Sequence, residues 1–171
     1  MKYSIILVTA LSTLLYGQER NPFDSITFDK VIAYEFQGVG GKPIEHCLLH
    51  EQHKISKSIE LSEYQLNNFL VVLCSNSSYG NTTAACFDPH FGMVYYKNEK
   101  IVASINICLD CNYLTSSIEI PATKNQMIKV DEAYSYPARG FSKSARESIH
   151  RFCTDIGFTK YLKPLKSIFD E

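Results

Sequence analysis

Four side chains that could bind a metal ion, or react with each other, lie in two short groups. Three residues separate Cys86 from His90, two separate Cys108 from Cys111, and seventeen lie between the groups. This spacing resembles the two knuckles of a zinc ribbon, because thiolate and imidazole are the usual ligands of structural zinc. Cys86, His90, Cys108 and Cys111 are therefore a candidate metal site, with zinc as the candidate cofactor.

A predicted β-hairpin brings the two groups to one end. Two apolar runs, residues 93–96 and 101–108, flank a short polar turn, as the strands of a hairpin do. With Asn98 and Glu99 at the centre of the turn, the register follows by counting outward. The predicted pairs are Tyr96 with Ile101, Val94 with Ala103, His90 with Ile107 and Cys86 with Cys111. Pro89 will interrupt the ladder, since proline has no N–H to donate.

The same cysteines could instead form a disulfide, and the sequence favours this use over a bound metal. Two thiols that a hairpin brings together in an oxidising compartment ordinarily oxidise. Reduced structural thiols are a third alternative. A Cys-x-x-Cys pair also occurs in thiol–disulfide oxidoreductases, where the first cysteine begins a helix. Residues 112–114 show no amphipathic helical pattern, which disfavours a thioredoxin-type site.

The other three cysteines have different settings. Cys74 and Cys153 lie on the apolar faces of two predicted helices, which is typical of small buried hydrophobic residues. Cys47 lies among three histidines, His46, His50 and His53. These side chains could bind zinc or copper, but no cap or period fixes their geometry, so a solvated polar segment is the favoured interpretation. Cys47 has no evident partner.

Local patterns predict the elements that must position the cluster. Alternating residues indicate strands at 26–36 and 55–61, and Ile118 with Ile120 indicates a short strand before Pro121. Ser62 and Gln65 form a capping box for a helix that ends near Ser75. A second helix begins after Ser142 or Ser144 and ends at Gly157. The pattern predicts an α+β fold, a mainly antiparallel sheet with a central hairpin and two amphipathic helices on one face.

Composition excludes several classes of protein. The chain has 171 residues, 45% of them hydrophobic, as in one ordinary globular domain. Lys and Arg number 17 against 18 Asp and Glu, so a nucleic-acid partner is not expected. The sequence has no Gly-x-Ser-x-Gly, phosphate-loop or His-Glu-x-x-His motif.

The first seventeen residues predict export. Lys2 provides a short positive start, and residues 5–15 form an apolar stretch of signal-peptide length that is too short to span a bilayer. Gly17 indicates cleavage before Gln18. We therefore expect a signal peptide at 1–17, a single α+β domain at 18–171, no transmembrane segment after cleavage, and a periplasmic or secreted product.

Two motifs carry a resemblance to a known group of proteins. Residues 86–92 read Cys-Phe-Asp-Pro-His-Phe-Gly, residues 108–111 read Cys-Leu-Asp-Cys, and Gly140-Phe141-Ser142 precedes the last helix. This Cys-Phe-x-Pro-His-x-Gly and Cys-x-x-Cys core resembles a group of uncharacterised exported proteins of Bacteroidetes-type bacteria, over most of residues 60–158. The resemblance implies a periplasmic or surface setting and carries no activity with it.

Three hypotheses about function follow. The first is an exported domain without catalysis of its own, in which the Cys86/His90/Cys108/Cys111 cluster is a structural clamp, either a disulfide or a metal site. The second is a metal-dependent or thiol-redox enzyme that uses the same residues, with His90 as a ligand or a base. The third is a binding module for a cell-envelope protein, which an exposed apolar patch would favour.

Overall fold

The computed structural model describes residues 21–162, and a five-stranded antiparallel sheet forms the centre of this part of the chain. The predicted signal peptide, 1–17, lies outside the described residues. In chain order the strands are β1 Lys30–Phe36, β2 Ile55–Glu60, β3 Tyr79–Asn81, β4 Phe91–Lys97, β5 Lys100–Cys108, β6 Tyr113–Ser116, β7 Met127–Lys129, β8 Ser135–Pro137 and β9 Gly140–Phe141. The helices are α1 Ile44–His50, α2 Glu63–Cys74 and α3 Lys143–Asp155. Short 3-10 helices span Pro22–Ser25, Val39–Gly41, Gln52–Lys54, Asn76–Ser78 and Pro121–Lys124.

The sheet has the strand order β2-β1-β4-β5-β6, and all four neighbouring pairs are antiparallel. The predicted hairpin forms β4 and β5, and it lies inside the sheet rather than at an edge. Strands β3 and β9 form a separate two-stranded sheet, and β7 and β8 form another. The predicted α+β class, with a mainly antiparallel sheet around a hairpin, is confirmed.

Helices α2 and α3 cover one face of the sheet, as predicted. Their buried residues share a single core with the inward-facing residues of β1, β4 and β5. The capping box of α2 is present, with the Ser62 side chain accepting from the Gln65 N–H and the Gln65 side chain accepting from the Ser62 N–H. The N-cap of α3 is Ser142 rather than Ser144, and Gly157 follows its end with a φ of 75°. Local sequence signals therefore define both helices.

A third helix, α1, covers the opposite face. The expectation of a solvated polar segment at 46–53 is wrong here, because Ile44, Cys47 and Leu48 form an apolar stripe with helical spacing. This stripe packs on Phe36 and Val94 of the sheet, and Cys47 is fully buried. Only the histidines behave as expected, since His50 and His53 are exposed and His46 is half-buried. Cys47, which has no evident disulfide partner in the sequence, is therefore a packing residue between α1 and the sheet.

The last strand of the sheet also differs from its prediction. It is β6, and it ends before Ile118 and Ile120, although Ile120 is buried. The Ile118 N–H donates to the Ser116 side chain at 3.3 Å instead of to a neighbouring strand. The two isoleucines therefore indicate burial and not a β-ladder.

Gly92 on β4 allows α1 to lie close to the sheet. A Cβ at this position would be 2.9 Å from Cβ and Cγ2 of Ile44. We expect Gly92→Ala to lower the free energy of unfolding by about 1–3 kcal/mol, because the helix must move away from the sheet. Val102→Ala, on an exposed part of β5, is the control and should change it by less than about 0.5 kcal/mol in denaturant titrations. Equal stability of the two variants would contradict this packing.

Candidate functional site

The hairpin turn forms as predicted, but the register shifts by one residue two positions from it. Asn98 and Glu99 have φ values of 48° and 61°, as a tight two-residue hairpin turn requires. Tyr96 pairs with Ile101 as expected, whereas Val94 pairs with Ser104 and not with Ala103. An extra residue on β5 therefore bulges out of the ladder between these pairs.

The bulge has a clear physical cause. A one-residue slip moves every following side chain to the other face of the sheet. With the bulge, Ile105 and Ile107 lie in the core under α2 and α3. Ser104 and Asn106 face α1, where the Glu45 carboxylate accepts from the Ser104 hydroxyl and, at 3.2 Å, from the Asn106 amide. Without it, two polar residues would enter the apolar core.

The four predicted site residues lie at the same end of the hairpin, but they are not used together. The paired part of β4 begins at Phe91, and beyond it the chain keeps contact with β5 and the following turn through single hydrogen bonds. The His90 N–H donates to the Ile107 carbonyl at 3.2 Å, and the Ala84 N–H donates to the Cys111 carbonyl at 2.9 Å. The predicted pairing of Cys86 with Cys111 is wrong, since the loop shifts by two residues.

Cys108 and Cys111 form a disulfide, with their Cα atoms 5.1 Å apart. Cys108 is the last residue of β5, and Cys111 lies in the turn that leads to β6. Each residue is 1% exposed. A thioredoxin-type arrangement has its first cysteine at a helix N-terminus, and here the disulfide joins a strand end to a tight β-turn instead.

Cys86 and His90 stand apart from this disulfide. Cys86 is an exposed free thiol. His90 is half-buried, with Nδ1 3.2 Å from the Phe36 carbonyl oxygen and its ring stacked on Tyr161 at a centroid distance of 5.3 Å. Within residues 21–162, no group of three or more His, Cys, Asp or Glu side chains is arranged to hold a metal ion. The zinc hypothesis for Cys86, His90, Cys108 and Cys111 therefore gains no support from the geometry.

The histidines near Cys47 do not form a common site with it. The rings of His46 and His50 lie 4.9 Å apart, whereas the Cys47 side chain is buried between α1 and the sheet. Hydrogen bonds from Lys42 and Lys54 lower the pKa of the neighbouring Glu51 carboxyl to about 2. That carboxylate is thus held by two ammonium groups at the C-terminal end of α1.

A buried polar cluster around Asn112 follows the disulfide directly, and it was not predicted. Asn112 is fully buried with a φ of 64°, and its Nδ2 donates to the Thr82 carbonyl at 2.8 Å. Its Oδ1 accepts at 2.8 Å from Nη1 of Arg146, a residue of α3 that is 1% exposed. Nη1 of Arg146 also donates to the Phe141 carbonyl at 2.7 Å, and the Phe141 N–H donates to the Asn112 carbonyl at 3.1 Å. We call Asn112, Arg146, Phe141 and Thr82 the Asn112 cluster.

One signal in the sequence could have revealed this cluster. Arg146 precedes Ile149 by three residues and Cys153 by seven, so it lies on the buried stripe of α3. An arginine on such a stripe needs acceptors inside the protein. The acceptors themselves come from distant segments, which only the tertiary structure brings together.

The remaining cysteines are buried hydrophobic residues, as predicted for Cys74 and Cys153. Cys47, Cys74 and Cys153 lie outside the disulfide, with 0%, 8% and 1% exposure. Burial raises the pKa of the Cys47 thiol, and burial together with the Glu35 carboxylate raises that of Cys153. A thiol that resists deprotonation is a poor nucleophile, so these residues contribute packing rather than chemistry.

A surface groove of about 610 Å³ lies between α2 and α3. Phe69 and Phe152 contribute to its wall, with ring centroids 4.3 Å apart. Gln65, Arg151 and Asp155 add polar groups to it. None of the four predicted site residues lines this groove, so the groove and the disulfide are separate features.

No family model matches the chain, no curated protein matches it, and no solved structure matches it.

Loss of the Arg146 guanidinium should destabilise the fold. Arg146→Met removes the donor to Asn112 Oδ1 and to the Phe141 carbonyl, and we expect the free energy of unfolding to fall by about 2–4 kcal/mol. The matched control is Arg151→Met on the exposed face of the same helix, which should cost less than about 0.5 kcal/mol. Chemical denaturation of both variants measures the difference. If they prove equally stable, the cluster does not support the fold.

Proposed function

We propose that the chain is an exported bacterial domain without catalysis of its own, in which the Cys108–Cys111 disulfide is a structural clamp. The observation that carries the proposal is the position of this disulfide. It fixes the turn between β5 and β6, and Cys111 is followed directly by Asn112. The clamp therefore holds the residue on which the Asn112 cluster is built.

The clamped turn connects segments that share no β-ladder with it. The Cys111 carbonyl accepts from Ala84, Asn112 Nδ2 donates to Thr82, and the Asn112 backbone and side chain contact Phe141 and Arg146. The loop after β3, the short strand β9 and α3 thus depend on the conformation of one turn. Because Asn112 has a positive φ, a conformation that most residues with a Cβ disfavour, the turn benefits from a covalent constraint.

An oxidising compartment suits this use of the cysteines. Disulfides persist in the periplasm and outside the cell and are rare in a reducing cytosol. The apolar stretch at 5–15 and the resemblance to exported Bacteroidetes-type proteins support the same localisation. Among residues 21–162, no helix combines the length and the apolar character that a membrane span needs.

Removal of the clamp should lower stability. The disulfide closes a loop of four residues, for which the loss of unfolded-state entropy corresponds to about 2 kcal/mol. We therefore expect Cys111→Ser to lower the free energy of unfolding by about 2 kcal/mol in denaturant titrations. A reductant should lower the stability of the wild-type protein similarly and leave that of Cys111→Ser unchanged. A Cys111→Ser protein as stable as the oxidised wild type would refute the clamp.

The state of the cysteines distinguishes the clamp from the zinc hypothesis. The full chain would be expressed with export to the periplasm, purified without reductant, alkylated in denaturant and analysed by intact mass and elemental analysis. We expect four alkylated cysteines, Cys47, Cys74, Cys86 and Cys153, and no stoichiometric zinc. Six alkylated cysteines with one zinc per chain would favour the metal site.

Loss of residues 1–17 in the same mass measurement tests the predicted signal peptide.

A further inference from the structure

The loop that carries Cys86 lies against the disulfide. The Asp88 N–H donates to Sγ of Cys111 at 3.3 Å. Tyr113, which follows the clamped turn, donates its hydroxyl to the Cys86 carbonyl at 3.3 Å, and its ring lies 4.8 Å from that of Phe87. Residues 86–88 therefore pack on the turn that contains Cys111. Of the cysteines at 21–162 that lie outside the disulfide, Cys86 alone is exposed.

Both sulfur atoms of the disulfide have backbone N–H donors. Sγ of Cys108 accepts from the Cys111 N–H at 3.1 Å, and Sγ of Cys111 accepts from the Asp88 N–H at 3.3 Å. Hydrogen bonds to a charged acceptor are stronger than those to a neutral one, so these donors stabilise a thiolate more than a disulfide sulfur. A stabilised thiolate is also a faster leaving group in thiol–disulfide exchange. The donors thus stand where negative charge would develop if the disulfide opened.

We propose that Cys86, Cys108 and Cys111 form a thiol–disulfide exchange site, in which the disulfide moves between Cys108–Cys111 and Cys86–Cys111. The inference rests on the proposed disulfide clamp. Cys86 loses its proton to solvent, and its thiolate attacks Sγ of Cys111. The Cys86–Cys111 bond forms as the Cys108–Cys111 bond breaks, and Cys108 leaves as a thiolate that takes up a proton. The number of thiols and disulfides is unchanged, so the step needs no oxidant or reductant.

The exchange gives small-molecule thiols a route to the disulfide. Cys108 and Cys111 are each 1% exposed, so an external thiol such as glutathione has little direct access to their sulfurs. After exchange, one sulfur of the disulfide belongs to the exposed Cys86. A glutathione thiolate attacks that sulfur, forms a mixed disulfide with Cys86 and releases the Cys111 thiolate. A second glutathione then frees Cys86 and leaves as oxidised glutathione.

The rate at which glutathione reduces the disulfide tests the route through Cys86, and Cys86→Ser changes an exposed residue and not the core. The full chain and its Cys86→Ser variant would be oxidised and then mixed with reduced glutathione. The Cys108 and Cys111 thiols that appear would be trapped by alkylation and counted by mass. Because the direct attack is hindered by burial, we expect reduction to be at least about tenfold slower in Cys86→Ser. The buried-cysteine variant Cys47→Ser is the control and should react at the wild-type rate. Equal rates in Cys86→Ser and the wild type would overturn the proposal.

Disulfide mapping provides a second, independent measurement. Trypsin leaves Cys108 and Cys111 together in the peptide 101–124 and places Cys86 in the peptide 58–97, with Cys74. In Cys108→Ser, equilibrated in a glutathione redox buffer, we expect a disulfide that joins these two peptides. The double variant Cys86→Ser/Cys108→Ser, in which Cys74 is the sole cysteine of the peptide 58–97, should show no such joined pair. Absence of the joined pair in folded Cys108→Ser, or its presence in Cys86→Ser/Cys108→Ser, would overturn the proposal.

The outcomes separate this proposal from the clamp on which it rests. If the wild-type protein shows no blocked cysteine pair after oxidation, the clamp itself fails. If the pair is confined to the peptide 101–124 and Cys86→Ser is reduced at the wild-type rate, the clamp stands and only the exchange fails.

Discussion

The structure depends most on the contact between a buried arginine and a buried asparagine. Arg146 is 1% exposed, and transfer of a guanidinium out of water is costly unless its donors find acceptors. Asn112 Oδ1 and the Phe141 carbonyl are two of those acceptors. One acceptor lies in the turn after β5 and the other in the two-residue strand β9, so the energetic requirement of one side chain on α3 constrains both segments. Gly140 permits this approach, since a Cβ there would be 2.7 Å from Asn112 Nδ2.

Hydrogen bonds of buried polar side chains to the backbone also attach other segments to the sheet. The buried carboxylate of Glu35 on β1 accepts from the backbone N–H groups of Lys160 and Tyr161, at 2.5 and 3.2 Å. The buried amide of Asn106 on β5 accepts from the Ile44 N–H at 2.7 Å and so holds the first turn of α1. In each case a polar side chain on a strand satisfies backbone donors of a segment outside the ladder. Hydrophobic burial assembles the layers, and these buried polar groups determine where the connecting segments lie.

Sequence signals predicted the parts of the fold that depend on neighbouring residues. The Ser62–Gln65 capping box and the turn at Asn98 and Glu99 act over two to four residues, and both appear in the structure. The register beyond Tyr96 could not be obtained by counting, because the bulge serves a tertiary requirement, the separation of Ser104 and Asn106 from the apolar core. Helix α1 begins after Pro43 without a side-chain cap and was missed for that reason. At the site, the sequence indicated a disulfide within the group that contains Cys86, Cys108 and Cys111 but did not assign its pairing, which the structure gives as Cys108–Cys111. The contacts of Asn112 link residues far apart in sequence and carry no local signal.

Environment, rather than number, decides what the six cysteines of this chain can do. An even count suggests three disulfides, but in residues 21–162 the thiols of Cys47, Cys74 and Cys153 lie inside the apolar layers on the two faces of the sheet. There, the low polarity that makes them good packing residues also disfavours the thiolates of Cys47 and Cys153. Cys108 and Cys111 are equally buried, yet they lie where a turn leaves backbone N–H groups directed at their sulfurs. Burial in an apolar layer suppresses thiol chemistry, whereas burial beside N–H donors preserves it. The reactive end of this molecule is therefore the end of the β4–β5 hairpin. There the β-ladder stops, and the backbone N–H groups of Asp88 and Cys111 donate to the disulfide sulfurs.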